Sequence, residues 1–411
     1  MSGRPHGPRI ARERLAHAIH GAECPAARLN NIVGMQVPYG VCAIYHTKTI
    51  TKSMNIEDII SEDALYESQR KCSKGVKWKG TVSFYRHHWP DEISKLSSQL
   101  RDGTYRERKP KYFTITEPKK REIMSIHFRD RIYQRSLNDT AVCPQASKSF
   151  IYDNFACQKG KGTMAARDRL KEFLQRYYRK HGTEGYVLQI DIKGYYPNMR
   201  HDFAEEMLES YLDCETYELA KKVLAHLPGK IGYNPGSQIV QIVGITALDK
   251  IDHYIKERLR IQYYARYMDD FILLHKDKEY LKYCLSEIER MLKRQGMELN
   301  AEKTEIRSIT YPIRYLGFVY RLTGTGKVVI LAAPEKIKHE RKKILRMKAL
   351  VECGILVKHD VDKHFKAFKS SVRYGNSHNL ICRLNRWYES LWKGAENVIN
   401  HHEVQDNDCG T

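Results

Sequence analysis

Apolar positions recur along the chain with two periods, and the period changes at recognisable stops. From Met54 the stretch NIEDIISEDALYESQ is amphipathic, so the folded unit is expected to begin near Met54. Ile93, Leu96 and Leu100 share one face of a helix over 90–102, with Pro90 in its first turn and Gly103 at its end. A strand-like run at Tyr112–Thr116, a basic turn at Pro118–Arg121 and a helix near Arg129–Asn138 follow. The Gly/Lys loop CQKGKGT (157–163) leads into a helix over 164–179, and Tyr186–Ile192 reads as a buried strand. A helix is expected at 202–212, with Asp202 and Glu205 spaced as a capping box. One long helical stretch over 237–259 is entered through a Gly/Pro turn at Gly232–Gly236. Leu281, Leu285, Ile288 and Leu292 line a helix over 278–295 that Gly296 ends; strands are expected at Met297–Leu299 and Tyr315–Tyr320. After Pro334, Ile337, Ile344, Met347 and Val351 form a helical stripe.

The run YYARYMDDFIL (263–273) departs from this alternation. Two adjacent aspartates, Asp269 and Asp270, lie between apolar, aromatic-rich runs that have strand character, which places them at or near a hairpin tip. Neighbouring carboxylates held by buried strands are costly unless a cation answers them, and a hard divalent ion is the usual answer. Asp191 ends the earlier apolar strand and is a third candidate. One carboxylate from a strand facing a pair from a hairpin suits two-metal nucleotidyl transfer.

Charge adds a partner to this picture. The 411 residues carry 70 Lys+Arg against 49 Asp+Glu, a net charge of +21, which points to a polyanion such as nucleic acid. Residues 334–398 alone hold 15 Lys+Arg and 7 Asp+Glu. The 10 cysteines include no CxxC pair and no zinc-ligand spacing, so reduced thiols in a cytoplasmic protein are expected. No apolar run reaches the length of a membrane span.

YMDD between apolar strands, together with DIKGYYPNM (191–199), resembles the catalytic core of reverse transcriptases. The likeness continues in order: EPKKREI (117–123) and NFACQKGKGT (154–163) resemble fingers motifs, and NPGSQIVQ (234–241) the palm's nucleotide-contact loop and helix. MELNAEKTEI (297–306) and IRYLGF (313–318) resemble the motif bearing a lysine near the pyrophosphate and the primer-grip hairpin. The resemblance covers about residues 54–398 and implies an α+β right-hand polymerase, with fingers, a palm built on an antiparallel sheet, and an α-helical thumb. It divides the chain into a basic extension (1–53), fingers and palm (54–333), a basic helical thumb (334–398) and a tail (399–411).

The resemblance implies roles position by position. Asp191, Asp269 and Asp270, with the Ile192 carbonyl, would hold two Mg2+ ions, Mn2+ being the alternative. Tyr196 matches the steric gate that excludes a 2′-hydroxyl; Lys119, Lys120 and Arg121 would bind the triphosphate, and Pro235 and Gly236 would line the nucleotide. Lys303 would be an acid for the leaving group, Tyr315 and Gly317 would contact nucleic acid in the primer grip, and Lys338, Arg341, Lys342 and Arg346 would contact the sugar-phosphate backbone.

Most of these enzymes carry Pro-Gln-Gly where this chain has Asn234-Pro235-Gly236; Gln238 and Gln241 come too late to replace the missing Gln, so base selection is expected to be loosened. With the run from Trp78 to Tyr105 and the tail SVRYGNSHNLICRLNRWYESLW (371–392), this favours the bacterial and phage enzymes of diversity-generating retroelements. Those enzymes copy a template RNA with errors at adenines, aided by a small basic accessory protein. The implied partners are template or noncoding RNA, a DNA or RNA primer and deoxynucleoside triphosphates, with no membrane. Three alternatives stay open: a defence-associated reverse transcriptase with a dedicated noncoding RNA, template-independent or protein-primed synthesis on the same fold, and, least favoured, a non-catalytic RNA-binding maturase.

Overall fold

The structure, a computed structural model, describes residues 55–116, 120–227, 229–234 and 236–393. The extension 1–53, the tail 399–411, Met54, Lys119 and Pro235 lie outside them. The chain forms two compact units that interleave along the sequence. The first takes the described residues up to Gly160, Ile192–Arg258 and Glu287–Asn300; the second takes Lys161–Asp191, Leu259–Ser286 and the residues from Ala301 onward.

In the first unit, short helices α1 (Glu57–Ile60), α2 (Glu62–Ser73), α3 (Gly80–His87) and α4 (Trp89–Arg101) precede a two-stranded antiparallel ribbon, β1 (Lys111–Ile115) and β2 (Arg121–Ser125). Helix α5 (Phe128–Leu137) runs through a π-type turn into α6 (Cys143–Ala146). Leu65, Val82, Tyr85, Ile93, Leu96, Phe128 and Ile132 make one core, each contributing about 2 kcal/mol of apolar burial. Pro90 does sit in the first turn of α4, and Gly103, at φ +68°, follows its end.

The second unit opens with α7 (Thr163–His181) and is built on a four-stranded antiparallel sheet containing β3 (Tyr186–Ile190). The chain then returns to the first unit for α8 (His201–Tyr211), α9 (Cys214–Leu224), α10 (Gln238–Thr246) and α11 (Asp249–His253). Strands β4 (Tyr263–Tyr267) and β5 (Asp270–His275) come next, then α12 (Lys278–Arg294) and β6 (Glu305–Ser308), giving the order β4-β5-β3-β6. Leu170, Phe173, Leu174 and Tyr177 of α7 are buried, and the Phe173 and Tyr177 rings each meet the Tyr263 ring at 5.6 Å. A second antiparallel sheet, β7 (Ile313–Tyr315), β8 (Phe318–Leu322) and β9 (Val328–Ala332), leads to helices α13 (Pro334–Glu352), α14 (Lys358–Val372) and α15 (His378–Ser390).

The α+β class expected from the sequence is present, with several local corrections. The single helix over 237–259 is two, α10 and α11, followed by a π-type turn at Tyr254–Arg258. Tyr315–Tyr320 is not one strand but the two arms of a hairpin, since Leu316 and Gly317 both have positive φ. Met297–Leu299 makes only an isolated bridge, Ile192 to Leu299. The expected capping box is absent from α8: the Asp202 carboxylate pairs with Arg200, the N-cap residue, whose side chain makes no capping bond to the helix backbone. Of the stripe on α13, Ile344 alone is buried. No helix among the described residues is long and apolar enough to cross a membrane, and the described cysteines are free thiols.

Candidate active site

The candidate carboxylates all belong to the second unit. Pairing of Tyr267 with Asp270 closes the β4–β5 hairpin on a two-residue loop, Met268-Asp269. Met268 takes φ +54°, the left-handed region that the first position of a primed hairpin turn needs, although glycine is the residue suited to it. Asp269 is therefore the loop residue and Asp270 the first residue of β5. Asp270 lies beside the β3 end of the sheet because Phe271 pairs with Ile190, and Asp191 is the next residue after Ile190.

An arginine within the apolar run YYARY holds the tip. Arg266 is fully buried, and its guanidinium donates to the Met268 carbonyl at 2.9 Å. Burial raises the Asp269 pKa, as does the Asp191 charge, while Lys303 and Arg266 oppose them. Burial, then the charges of Asp269 and Asp191, push Asp270 up to about 7. These couplings place the three carboxylates in one electrostatic cluster. Lys303 answers it from the loop before β6: its ammonium donates to both Asp191 oxygens at 3.0 and 2.9 Å, and this bond holds its pKa above the usual lysine value.

All-oxygen donors whose charges raise one another's pKa suit a hard divalent cation. Among the described residues, no three His, Cys, Asp or Glu side chains are already gathered around one ion position; Asp191 is engaged by Lys303 instead. The donor chemistry fits a metal, and Asp191, Asp269 and Asp270 are the residues that would hold it.

The primer-grip candidates lie in the same unit. Gly317 is exposed at the β7–β8 turn with φ +81°. Tyr315, expected to touch nucleic acid, is only 4% exposed, and its hydroxyl has no hydrogen-bond partner. Its pKa is raised by burial and then by the Asp270 charge, and the ring lies inside the fold rather than at the surface. Arg167, which the sequence did not single out, donates through Nε at 3.1 Å and Nη2 at 2.6 Å to the Leu316 carbonyl. On α13, Lys338, Arg341, Lys342 and Arg346 are exposed, with Arg341 stacked 4.5 Å above the Trp387 ring.

The remaining candidates belong to the first unit. Ile192 is buried and bridges to Leu299. Lys120 and Arg121 are exposed where β2 begins. Asn234 and Gly236 rest on that strand: Asn234 donates to the Glu122 carbonyl at 3.2 Å, and a Cβ on Gly236 would meet the Met124 carbonyl at 2.6 Å. Tyr196 is half-buried against α10.

A family model described as reverse transcriptase (RNA-dependent DNA polymerase) matches residues 108–320, more than half of the chain. The chain belongs to the reverse transcriptase family. That match runs from just before β1 into β8, so the carboxylates, Tyr196, Lys303 and the β7–β8 turn all fall inside the reverse transcriptase domain. Membership brings the right-hand polymerase class, whose members use divalent metal ions. Among solved structures, telomerase from Candida albicans in complex with a TWJ fragment of telomeric RNA aligns with a TM-score of 0.45 and 12% identity, over 76% of this chain and 59% of that one. Candida tropicalis telomerase without its C-terminal domain gives 0.39 and 13%, over 53% and 54%. The chain thus spans between half and three-fifths of those telomerases. No curated protein matches the sequence.

Proposed function

We propose that this protein is an RNA-directed DNA polymerase that extends a primer along an RNA template. The observation that carries the proposal is the cluster of Asp191, Asp269 and Asp270, whose burial and mutual repulsion raise Asp270 to about 7 with Lys303 beside them. Two Mg2+ ions bound there, with Ile192 supplying a carbonyl, would activate the primer hydroxyl and neutralise the leaving pyrophosphate. Lys303, exposed and kept protonated by its bond to Asp191, would serve as the acid for the departing pyrophosphate. Tyr196 limits the sugar to deoxyribose, Lys119, Lys120 and Arg121 take the triphosphate, and the exposed α13 cations hold the nucleic-acid backbone. The decisive experiment is primer extension on an RNA template with Asp269→Ala: synthesis is lost while RNA affinity stays near wild type. Retained synthesis in that variant would overturn the metal assignment.

Within this activity, the Asn234-Pro235-Gly236 loop favours error-prone copying of the diversity-generating type, in a bacterial or phage-infected cytoplasm. Misincorporation opposite template adenine should fall in Pro235→Gln; unchanged fidelity would remove that refinement and leave the polymerase proposal standing.

A further inference from the structure

Gly244 is a glycine in the buried interior of α10, between Val243 and Ile245. A glycine there costs about 1 kcal/mol relative to alanine. Its φ lies outside the left-handed range, so no special backbone conformation calls for it. What calls for it is a pair of tyrosines from the turn after Ile192. The Tyr195 hydroxyl donates to the Gly244 carbonyl. The Tyr196 ring lies over the Gly244 Cα: a Cβ would stand 2.6 Å from the Tyr196 Oη and 2.9 Å from Cε1 and Cζ.

The Tyr196 main chain cannot back away. Its carbonyl accepts from the Tyr233 amide at 2.8 Å and the Met199 amide at 3.4 Å, and the turn before it is closed by the Asn198 amide on the Gly194 carbonyl at 2.8 Å. The neighbouring Tyr195 ring, 5.2 Å away at 60°, is pinned to α10 through its own hydroxyl. Any side chain at 244 therefore displaces the Tyr196 ring by side-chain rotation, away from the helix.

We propose that Gly244 is a positioning residue for sugar selection: it is the floor on which the Tyr196 ring rests, and its missing methyl sets how far that ring reaches toward the incoming nucleotide. The inference rests on the steric-gate role proposed for Tyr196. A methyl at 244 narrows the space for the sugar. Positioning errors on the ångström scale change enzyme rates strongly, so Gly244→Ala should raise the KM for a deoxynucleoside triphosphate roughly tenfold with kcat held within about twofold.

The test is steady-state single-nucleotide incorporation, comparing matched deoxy- and ribonucleoside triphosphates, in Tyr196→Ala, Gly244→Ala, Gly244→Ala/Tyr196→Phe and Gly244→Ala/Tyr196→Ala. Tyr196→Ala should relax discrimination; if it does not, the gate role falls. If it does, but Gly244→Ala leaves KM and discrimination at wild-type values, the gate stands and the Gly244 inference is overturned. Tyr196→Phe removes the closest contact and should return much of the lost KM. In the Tyr196→Ala background the ring is gone, so Gly244→Ala must be silent. That comparison decides the matter even if Gly244→Ala alone fails to fold, because a KM change there would contradict the proposal.

Discussion

Two hairpins of the second unit solve the same local problem in opposite ways. Both turn on two residues, between Tyr267 and Asp270 and between Tyr315 and Phe318. Both place a non-glycine residue in the left-handed region at the first loop position, Met268 at φ +54° and Leu316 at φ +46°. Such a residue costs roughly 1–2 kcal/mol. In both, an arginine bonds the carbonyl of that residue. In the β4–β5 hairpin the arginine comes from its own strand, two residues back, and is wholly buried. In the β7–β8 hairpin it comes from α7, 149 positions away, and lies 4.5 Å from the Phe318 ring and 5.7 Å from that of Tyr374. The carboxylate hairpin is self-contained. The other depends on parts distant in sequence, since Tyr374 also bonds Asp168, and Asn376 bonds both main-chain groups of Ile330.

The largest effect expected from this contrast is at the self-contained tip, where repulsion between buried carboxylates is stored. Asp270 has a folded pKa of about 7 against an ordinary value of 3.8. Between those values the unfolded chain releases the proton while the folded chain keeps it, so metal-free stability falls as pH rises from about 4 to 7. Asp270→Asn should abolish synthesis yet stabilise the metal-free protein by about 4 kcal/mol at pH 8, the gain shrinking toward zero near pH 4. Denaturant unfolding at both pH values checks this. A pH-independent gain would mean the repulsion is not there.

Next comes the arginine of the same tip. Arg266→Met removes the charged donor from the part-buried Met268 carbonyl and strips Asp269 of a positive neighbour. Stability should drop by about 2 kcal/mol, the worth of a hydrogen bond from a charged group. Synthesis should need more Mg2+, read as a shift in half-maximal metal concentration. A stability loss with an unchanged metal requirement would make Arg266 a purely structural residue. Arg167→Met should cost less, about 1 kcal/mol, because water can reach that turn. Its signature is a raised KM for the primer-template duplex with KM for the nucleotide unchanged, and Arg167→Lys should restore only part, having one point charge instead of a planar fork.

The two hairpins also differ in how far they could be foreseen. The carboxylate hairpin was legible because strand period, aromatic content and the Asp pair are all local; Arg266, inside that same apolar run, was not singled out, because only the fold shows which carbonyl it reaches. In the second hairpin nothing local marks Arg167, whose partner is 149 positions away. The motif at 313–318 names Tyr315 as a nucleic-acid contact without saying which face of the strand it takes, and in the fold the pleat turns its ring inward. The continuous helix over 237–259 failed for a related reason: its apolar residues are buried all round in α10, so periodicity could not mark the break after Thr246. Gly244 likewise reads as an ordinary helical defect until the Tyr196 ring is placed over it.

The smallest effects separate strain from function. Replacing Met268 or Leu316 by glycine relieves the left-handed conformation but adds backbone freedom to the unfolded chain. The two terms nearly cancel, leaving each variant about 0.5 kcal/mol more stable or unchanged. Activity should divide them. Leu316→Gly keeps the carbonyl that Arg167 holds, and no catalytic group follows it, so primer extension should stay within about twofold of wild type. Met268→Gly loosens the residue directly before Asp269, and a carboxylate free to wander by an ångström should lose roughly tenfold in rate. If both variants lose activity equally, the strained residue at 268 has no special tie to the chemistry, and the two hairpins differ only in where their arginines come from.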